Sequence, residues 1–458
     1  MKLTWQEAFS TKRLGSDRET QDARSAFERD YDRIIFSSAF RRLQNKTQVF
    51  PLPKHVLVHN RLSHSLEVTS VGRSLGAIVG GQLADLPGLK TSAAAQDFYR
   101  NNLRTVISTA CLAHDLGNPA FGHSGEEAIS KYFIDRAGDR AFRDKFTEAE
   151  YRDLTHFEGN ANAFRLLTRQ FKGRLPGGYQ LTLSSLAALL KYPCASTAVD
   201  KSQGKHRSKY GFFQSDLQTF NELTAGLGLQ PESEQPLAFR RHPFVYLTEA
   251  ADDICYSIID YEDAHRLGIL SFEETKKDLL ELIKTNPHED FGRLDRNLEN
   301  LRNDNNEAIA YLRSKAISYL VRCCAEVFMQ NQETILAGGF AEALLGKVGA
   351  VAAPLSKIQK KSVGRIYNHE SVMKIELAGF KIMSGLIEDL VEAALTEQGQ
   401  RRKRHQKILA LIPPQFRFEE GETPYEKTMA VLDYVSGMTD NYALELYRNL
   451  RGISVPEF

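Results

Sequence analysis

The chain has 458 residues, 42% hydrophobic and 26% charged, with 59 Lys+Arg against 58 Asp+Glu and a formal net charge of +1. That is an ordinary globular composition without a bulk field to attract nucleic acid or a membrane surface, so any basic function has to be local. No apolar run approaches the roughly 18 residues of a spanning helix, and no apolar segment follows Met1-Lys-Leu-Thr-Trp-Gln-Glu, so a cytoplasmic protein with no membrane partner is expected.

Apolar residues recur at three- and four-residue spacing almost throughout, which predicts an all-α fold. Leu62, Leu66, Val71, Leu75 and Ile78 mark one helix. Leu103, Val106, Ile107, Ala110 and Leu112 mark the next, ended by Gly117 and Pro119. Ser124 and Glu127 form a capping-box pattern that opens another. The stretch from Gly177 to Ser184 alternates and predicts a minor β-hairpin. Residues 193–242, rich in Pro, Gly, Ser and Lys, read as a long excursion of the kind that usually carries function. Pro243 to Leu267 reads as a long helix closed by Gly268. Amphipathic helices resume from 273 to 400, and 413–427 connects to a final helix. Two regions are expected: residues 1–270, which carry the polar motifs at 59–68, 110–127 and 249–260, and a helical C-terminal region, 271–458.

Three polar motifs interrupt these apolar patterns: His64 near a helix start, His114-Asp115 at a helix end, and Asp252-Asp253 inside the long helix. Burying several such groups without partners costs several kcal/mol, roughly 2–7 per group, so a shared partner is the simpler account. Imidazoles and carboxylates together suit Mn, Fe, Mg, Ni or Zn and leave the metal unnamed. Cys111, Cys194, Cys255, Cys323 and Cys324 have no Cys-x-x-Cys spacing, so reduced core thiols are expected rather than disulfides or a thiolate site. Such a metal site polarises phosphate oxygens and generates hydroxide at neutral pH.

After the His-Asp pair comes Gly117-Asn-Pro-Ala-Phe-Gly-His123-Ser-Gly-Glu126. Its Pro and Gly residues predict a turn that returns His123 to the metal, with Glu126 orienting the imidazole and raising its pKa. The spacing leaves open whether His123 acts as acid or base. His156 follows a polar helix and precedes Glu158. Tyr256 and Asp260 fall four and eight residues after Asp252, on one helix face, and a Tyr–Asp pair there can seat a sugar.

The ordered His…His-Asp…Asp motifs resemble the HD-domain superfamily. The longer strings His59-Asn-Arg-Leu-Ser-His64-Ser-Leu-Glu-Val68, His114 to Glu126, Lys209-Tyr-Gly-Phe-Phe213 and Ala251-Asp-Asp-Ile-Cys-Tyr256 resemble the bacterial dGTPase-like dNTP triphosphohydrolases. The resemblance is strong over residues 1–270 and rests on order and length beyond them. It implies an HD-domain helical bundle that cleaves dNTPs, dGTP included, to deoxynucleoside and triphosphate by attack at the α-phosphorus. It implies His64, His114, Asp115 and Asp252 as ligands of Mn, Mg or Fe, with Asp253 outside the first coordination sphere. His123 matches the catalytic His, Glu126 its partner and His156 a second active-site His. Gln48, Asn60 and Arg61 match positions that contact sugar and phosphates, and Tyr256 and Asp260 the pair that discriminates against ribose. Tyr367, in Arg365-Ile-Tyr-Asn-His369, resembles the residue that closes the nucleotide pocket. Asp253 stands where some animal relatives carry a phosphate-binding Lys, so triphosphate charge falls to Lys191, Lys209 or Arg365. Ala120 replaces a Pro often found in the turn.

The family further implies a homo-oligomer, hexamer ahead of tetramer, with a nucleotide effector at a subunit junction. An alternative enzyme reading is an HD monophosphatase or phosphodiesterase. A regulator that binds single-stranded nucleic acid is the non-enzyme alternative, supported by the basic run Arg401 to Lys407, although most such runs are solvated faces.

Overall fold

The computed structural model describes residues 3–16, 22–50, 58–173 and 176–454. The expected all-α architecture is present: helices in layers, with a single two-stranded antiparallel ribbon among the described residues. No helix among them is long and apolar enough to cross a membrane.

The Arg61–Ala84 helix begins where Asn60 accepts a hydrogen bond from the Ser63 amide and the Ser63 side chain reciprocates. Its stripe of Gly72, Gly76 and Gly80 then lets it approach its neighbours at backbone distance. A Cβ on Gly76 would stand 2.8 Å from the Arg104 Cα, and one on Gly80 2.2 Å from the Tyr99 carbonyl oxygen. The Leu103–Ala113 helix lies in that contact, and the Val245–Arg266 helix packs across the same one. Val68, Leu75, Val79, Ile107, Ile254 and Ile258 are buried between them. Each such side chain contributes about 1.5–3 kcal/mol when fully buried. The close packing puts the start of one helix, the end of the second and an early turn of the third side by side, so His64, His114 and Asp252 meet.

The C-terminal helices Glu370–Leu395 and Pro424–Ser436 share a hydrophobic cluster with Ala128, Ile129 and Phe133 of the His123–Ile134 helix. A buried ion pair fastens the Pro424–Ser436 helix to the Gly159–Thr168 helix as well. The Arg165 guanidinium donates to both Asp433 carboxylate oxygens, at 2.7 and 2.9 Å, and to Asp216 at 3.1 Å. Breaking a buried pair of this kind costs about 3–5 kcal/mol, so these helices are integral to the site's frame.

Three local expectations are corrected. The segment from Gly177 to Ser184 forms no hairpin, because Gly177, Gly178 and Gln180 adopt φ of 76°, 60° and 49° and turn the chain. Thr182 then caps the Leu183–Leu189 helix. The ribbon lies instead inside the expected excursion, where Pro231–Glu234 pairs with Leu237–Phe239, and a helix at Leu217–Gly226 precedes it. Ser124 and Glu127 do not form a capping box. The helix starts at His123 after Gly122, which has φ 57° and makes no side-chain cap. The long helix does end before Gly268, at φ 72°. The connection at 413–427 leads to two helices rather than one, Pro424–Ser436 and Asp440–Leu450.

Candidate active site and metal centre

His64 lies in the first turn of its helix, His114 caps the C-terminus of Leu103–Ala113, and Asp252 lies in the second turn of Val245–Arg266. One ligand atom from each falls within 4.8 Å of the others. Asp252 Oδ1 is 3.3 Å from His64 Nε2 and 3.5 Å from His114 Nε2. His114 Nδ1 lies 2.7 Å from the Cys111 carbonyl oxygen, which can only accept. The proton is therefore on Nδ1, and Nε2 presents its lone pair to the cluster. That Nε2 is buried without a hydrogen-bond partner. An orphaned imidazole lone pair beside a second imidazole and a carboxylate is what a divalent ion satisfies, so these residues fit a metal.

Asp115, the fourth expected ligand, sits at the edge of the cluster, 3.6 Å from His114 Nε2. Its oxygens accept from Arg61 at 2.7 Å and from the Asn118 amide at 2.6 Å. The Arg61 charge holds its carboxyl down despite burial. Asp253 stays outside the cluster and faces Lys205 at 3.6 Å.

A cavity of about 430 Å³ opens over this cluster, within the range of small-molecule sites. Phe121, at φ 61°, and Gly122 reverse the chain and deliver His123 to its wall. His123 Nδ1 lies 2.8 Å from Glu126 Oε2, while Glu126 Oε1 accepts from the Gly159 amide at 2.8 Å. The carboxylate is thus clamped between two elements, while the His123 side chain is 86% exposed at the cavity wall. The Glu126 hydrogen bond raises the His123 pKa, against the positive charges of Lys209 and Arg61.

The Tyr256 and Tyr367 rings also line the cavity, stacked at 5.3 Å with 22° between their planes. The Tyr367 hydroxyl donates to Asp260 Oδ2 at 3.0 Å. Asp260 is buried behind this pair, and burial pushes its carboxyl well above the usual range. Gln48, Arg61, Lys191 and Lys209 line the cavity as well, and the Gln48 Oε1 is buried without a hydrogen-bond partner. Lys209 pairs with Glu158 at 3.1 Å, and Lys191 with Glu249 at 3.4 Å.

Five expected residues are absent from the cavity lining: the buried His64 and Asp260, and Asn60, His156 and Arg365. The Asn60 side chain is spent capping its helix. His156 is exposed, its Nδ1 2.9 Å from the Thr155 hydroxyl. Arg365 donates to Glu274 at 2.8 Å and to the Ile269 carbonyl at 2.9 Å, on the outside of the molecule. Sequence reasoning missed Glu158 and Glu249. Glu249 lies three residues before Asp252 on the same helix face, a signal that was available. Glu158 and its Lys209 partner meet only through tertiary packing.

The HD domain family matches residues 61–191, and the phosphohydrolase-associated domain family matches residues 349–449. The chain is 39% identical over 463 residues to a deoxyguanosinetriphosphate triphosphohydrolase-like protein of Synechocystis sp., covering 99% of this chain and all of that one. A protein of the same description from Pseudomonas aeruginosa is 37% identical over 466 residues, with 99% and 100% covered. The deoxyguanosinetriphosphate triphosphohydrolase of Yersinia pseudotuberculosis is 30% identical over 518 residues, covering 98% of each. With the His64–His114–Asp252 cluster and the His123–Glu126 pair in one cavity, this chain belongs to the bacterial dGTPase-like family of HD-domain phosphohydrolases.

Proposed function

We propose that the protein is a metal-dependent dNTP triphosphohydrolase that converts dNTPs, dGTP among them, and water to deoxynucleoside and inorganic triphosphate by attack at the α-phosphorus. One observation carries the reading: a single cavity combines the metal-ligand cluster, a carboxylate-oriented histidine and a tyrosine pair backed by a buried acid. The names of the relatives point to the same reaction on dGTP.

His64, His114 and Asp252 would hold the ion (Mn, Mg or Fe), with Asp115 beside them as the fourth ligand. When bound, the ion supplies Lewis-acid polarisation of a phosphate oxygen and a hydroxide-like water. His123, protonated and held through Nδ1 by Glu126, donates from Nε2 to the departing 5′ oxygen. Arg61, Lys191 and Lys209 offset the polyphosphate charge. Asp260, buried behind the tyrosines and accepting from the Tyr367 hydroxyl, would hold that ring in place against the sugar. The stacked Tyr256 and Tyr367 rings would face the sugar and leave no room for a 2′ hydroxyl.

Residues 1–270 form the catalytic core in this reading, and 271–458 complete the pocket through Tyr367, Val372, Ile375 and Glu376. The same proposal includes a homo-oligomer, hexamer ahead of tetramer, with a nucleotide effector at a subunit junction. The exposed Val363, Met373 and Leu377 offer an apolar surface for self-association. The basic run has less free charge than its sequence suggests, since Arg401 pairs with Glu420 and Arg404 with Asp389. Single-stranded nucleic acid is correspondingly the weaker partner.

The discriminating experiment assays wild-type and Tyr367→Ala protein with each dNTP and NTP. The wild type prefers deoxyribose. Tyr367→Ala loses about 10- to 100-fold of that preference, the scale of a pocket contact worth roughly 1–3 kcal/mol. An unchanged dNTP/NTP ratio removes Tyr367 from sugar selection.

A further inference from the structure

Asp440 opens the Asp440–Leu450 helix, where an acid ordinarily serves the helix dipole from the surface. Here Thr439 already caps the helix, accepting from the Tyr442 amide, and the Asp440 carboxylate turns inward. It is 3% exposed. Oδ1 accepts from the Phe121 amide at 2.9 Å, and Oδ2 from the Thr47 amide at 2.8 Å. Both partners belong to the cavity wall, one in the turn that precedes His123 and the other beside Gln48.

That turn is strained. Phe121 is a non-glycine residue at φ 61°, a conformation that costs about 1–2 kcal/mol and persists only where its surroundings over-determine it. The C-terminal helices grip it at further points. A Cβ on Gly379 would stand 2.5 Å from the Phe121 Cβ and Cγ, so the ring packs directly on that glycine. The buried Lys46 amine donates to the Asn118 carbonyl and also to the Ser436 carbonyl, tying the start of the turn to the Pro424–Ser436 helix.

We infer that Asp440 is a positioning residue for His123: reaching in from the C-terminal helix, its carboxylate holds the Phe121 and Thr47 amides and so fixes the turn that aims the imidazole into the cavity. The inference rests on the reading of His123 as proton donor, but the orientation itself can be measured without turnover. The charged groups around the His123 ring are Glu126 on its own helix and, from other elements, Lys209 and Arg61. Glu126 favours the imidazolium and the two cations oppose it. Loosening the turn weakens the short Glu126 contact first, so the His123 pKa falls toward the ordinary imidazole range. Activity that requires protonated His123 is then lost at lower pH.

Two variants press on the turn from opposite sides. Asp440→Asn keeps the shape but leaves one oxygen for two amides. Gly379→Ala leaves Asp440 intact and pushes on the Phe121 ring. Both should lower kcat about tenfold, part of the 10²–10⁴ that a general acid contributes, with KM and metal content near wild type. Both should also move the alkaline limb of the pH–rate profile to lower pH. A folded Asp440→Asn protein whose limb is unmoved overturns the inference, whether or not kcat has fallen, and if that variant does not fold Gly379→Ala carries the same test. If the wild type turns over no dNTP, the proposed function fails, and NMR titration of His123 still decides the positioning role. A midpoint lowered in the variants supports it, and an unchanged midpoint overturns it.

Discussion

Asp252→Ala is expected to abolish tight divalent-metal binding and to lower turnover by on the order of 10³-fold or more. The magnitude follows from several kcal/mol of charge stabilisation lost with the ion, at a factor of ten per 1.4 kcal/mol. Asp252 is the sharpest point to cut because its Oδ1 faces both imidazoles, at 3.3 and 3.5 Å. Asp115 is less exclusively committed, since Arg61 and Asn118 already bind its oxygens. Elemental analysis of the purified variant checks the first effect and triphosphate release the second. Stoichiometric metal retained in Asp252→Ala would remove it from the ligand set.

His123→Ala should lower kcat by about 10²–10⁴-fold while leaving bound metal unchanged, because the residue belongs to the proton chemistry and not to the ion. The companion variant Glu126→Gln separates orientation from chemistry. In the wild type the Glu126 hydrogen bond raises the His123 pKa, so the protonated donor survives to higher pH than a free imidazole. Glu126→Gln removes the negative charge, the His123 pKa falls, and the alkaline limb moves to lower pH. A full pH–rate profile for both variants, beside metal analysis, is the measurement. Wild-type turnover in a metal-loaded His123→Ala protein would end its catalytic role.

What was legible in the sequence follows the range of the interactions involved. His64, His114 and Asp252 stood out because each interrupts an apolar helical face, and helix periodicity is a local signal. Tyr256 and Asp260 were legible as neighbours because their four-residue spacing is a helix turn, and their shared contact with Tyr367 follows from that face. Asn60 and Arg365 were misplaced for a different reason. Each is polar and near a motif, but one is consumed by its own helix cap and the other by Glu274, partners that motif position does not disclose. The Gly177–Ser184 alternation misled because the left-handed backbone of Gln180 carries no pattern of its own. Asp440 was invisible altogether. Its role depends on where a C-terminal helix lands against the Phe121 turn, and neither residue signals the other.

The central claim is cleavage of the 5′ ester by attack at the α-phosphorus. It is tested most directly by running the metal-loaded protein with dGTP in ¹⁸O-labelled water and resolving the products by mass spectrometry. The account predicts deoxyguanosine free of label and intact inorganic triphosphate carrying one ¹⁸O. Release of monophosphate or pyrophosphate, or label in the nucleoside, would contradict it.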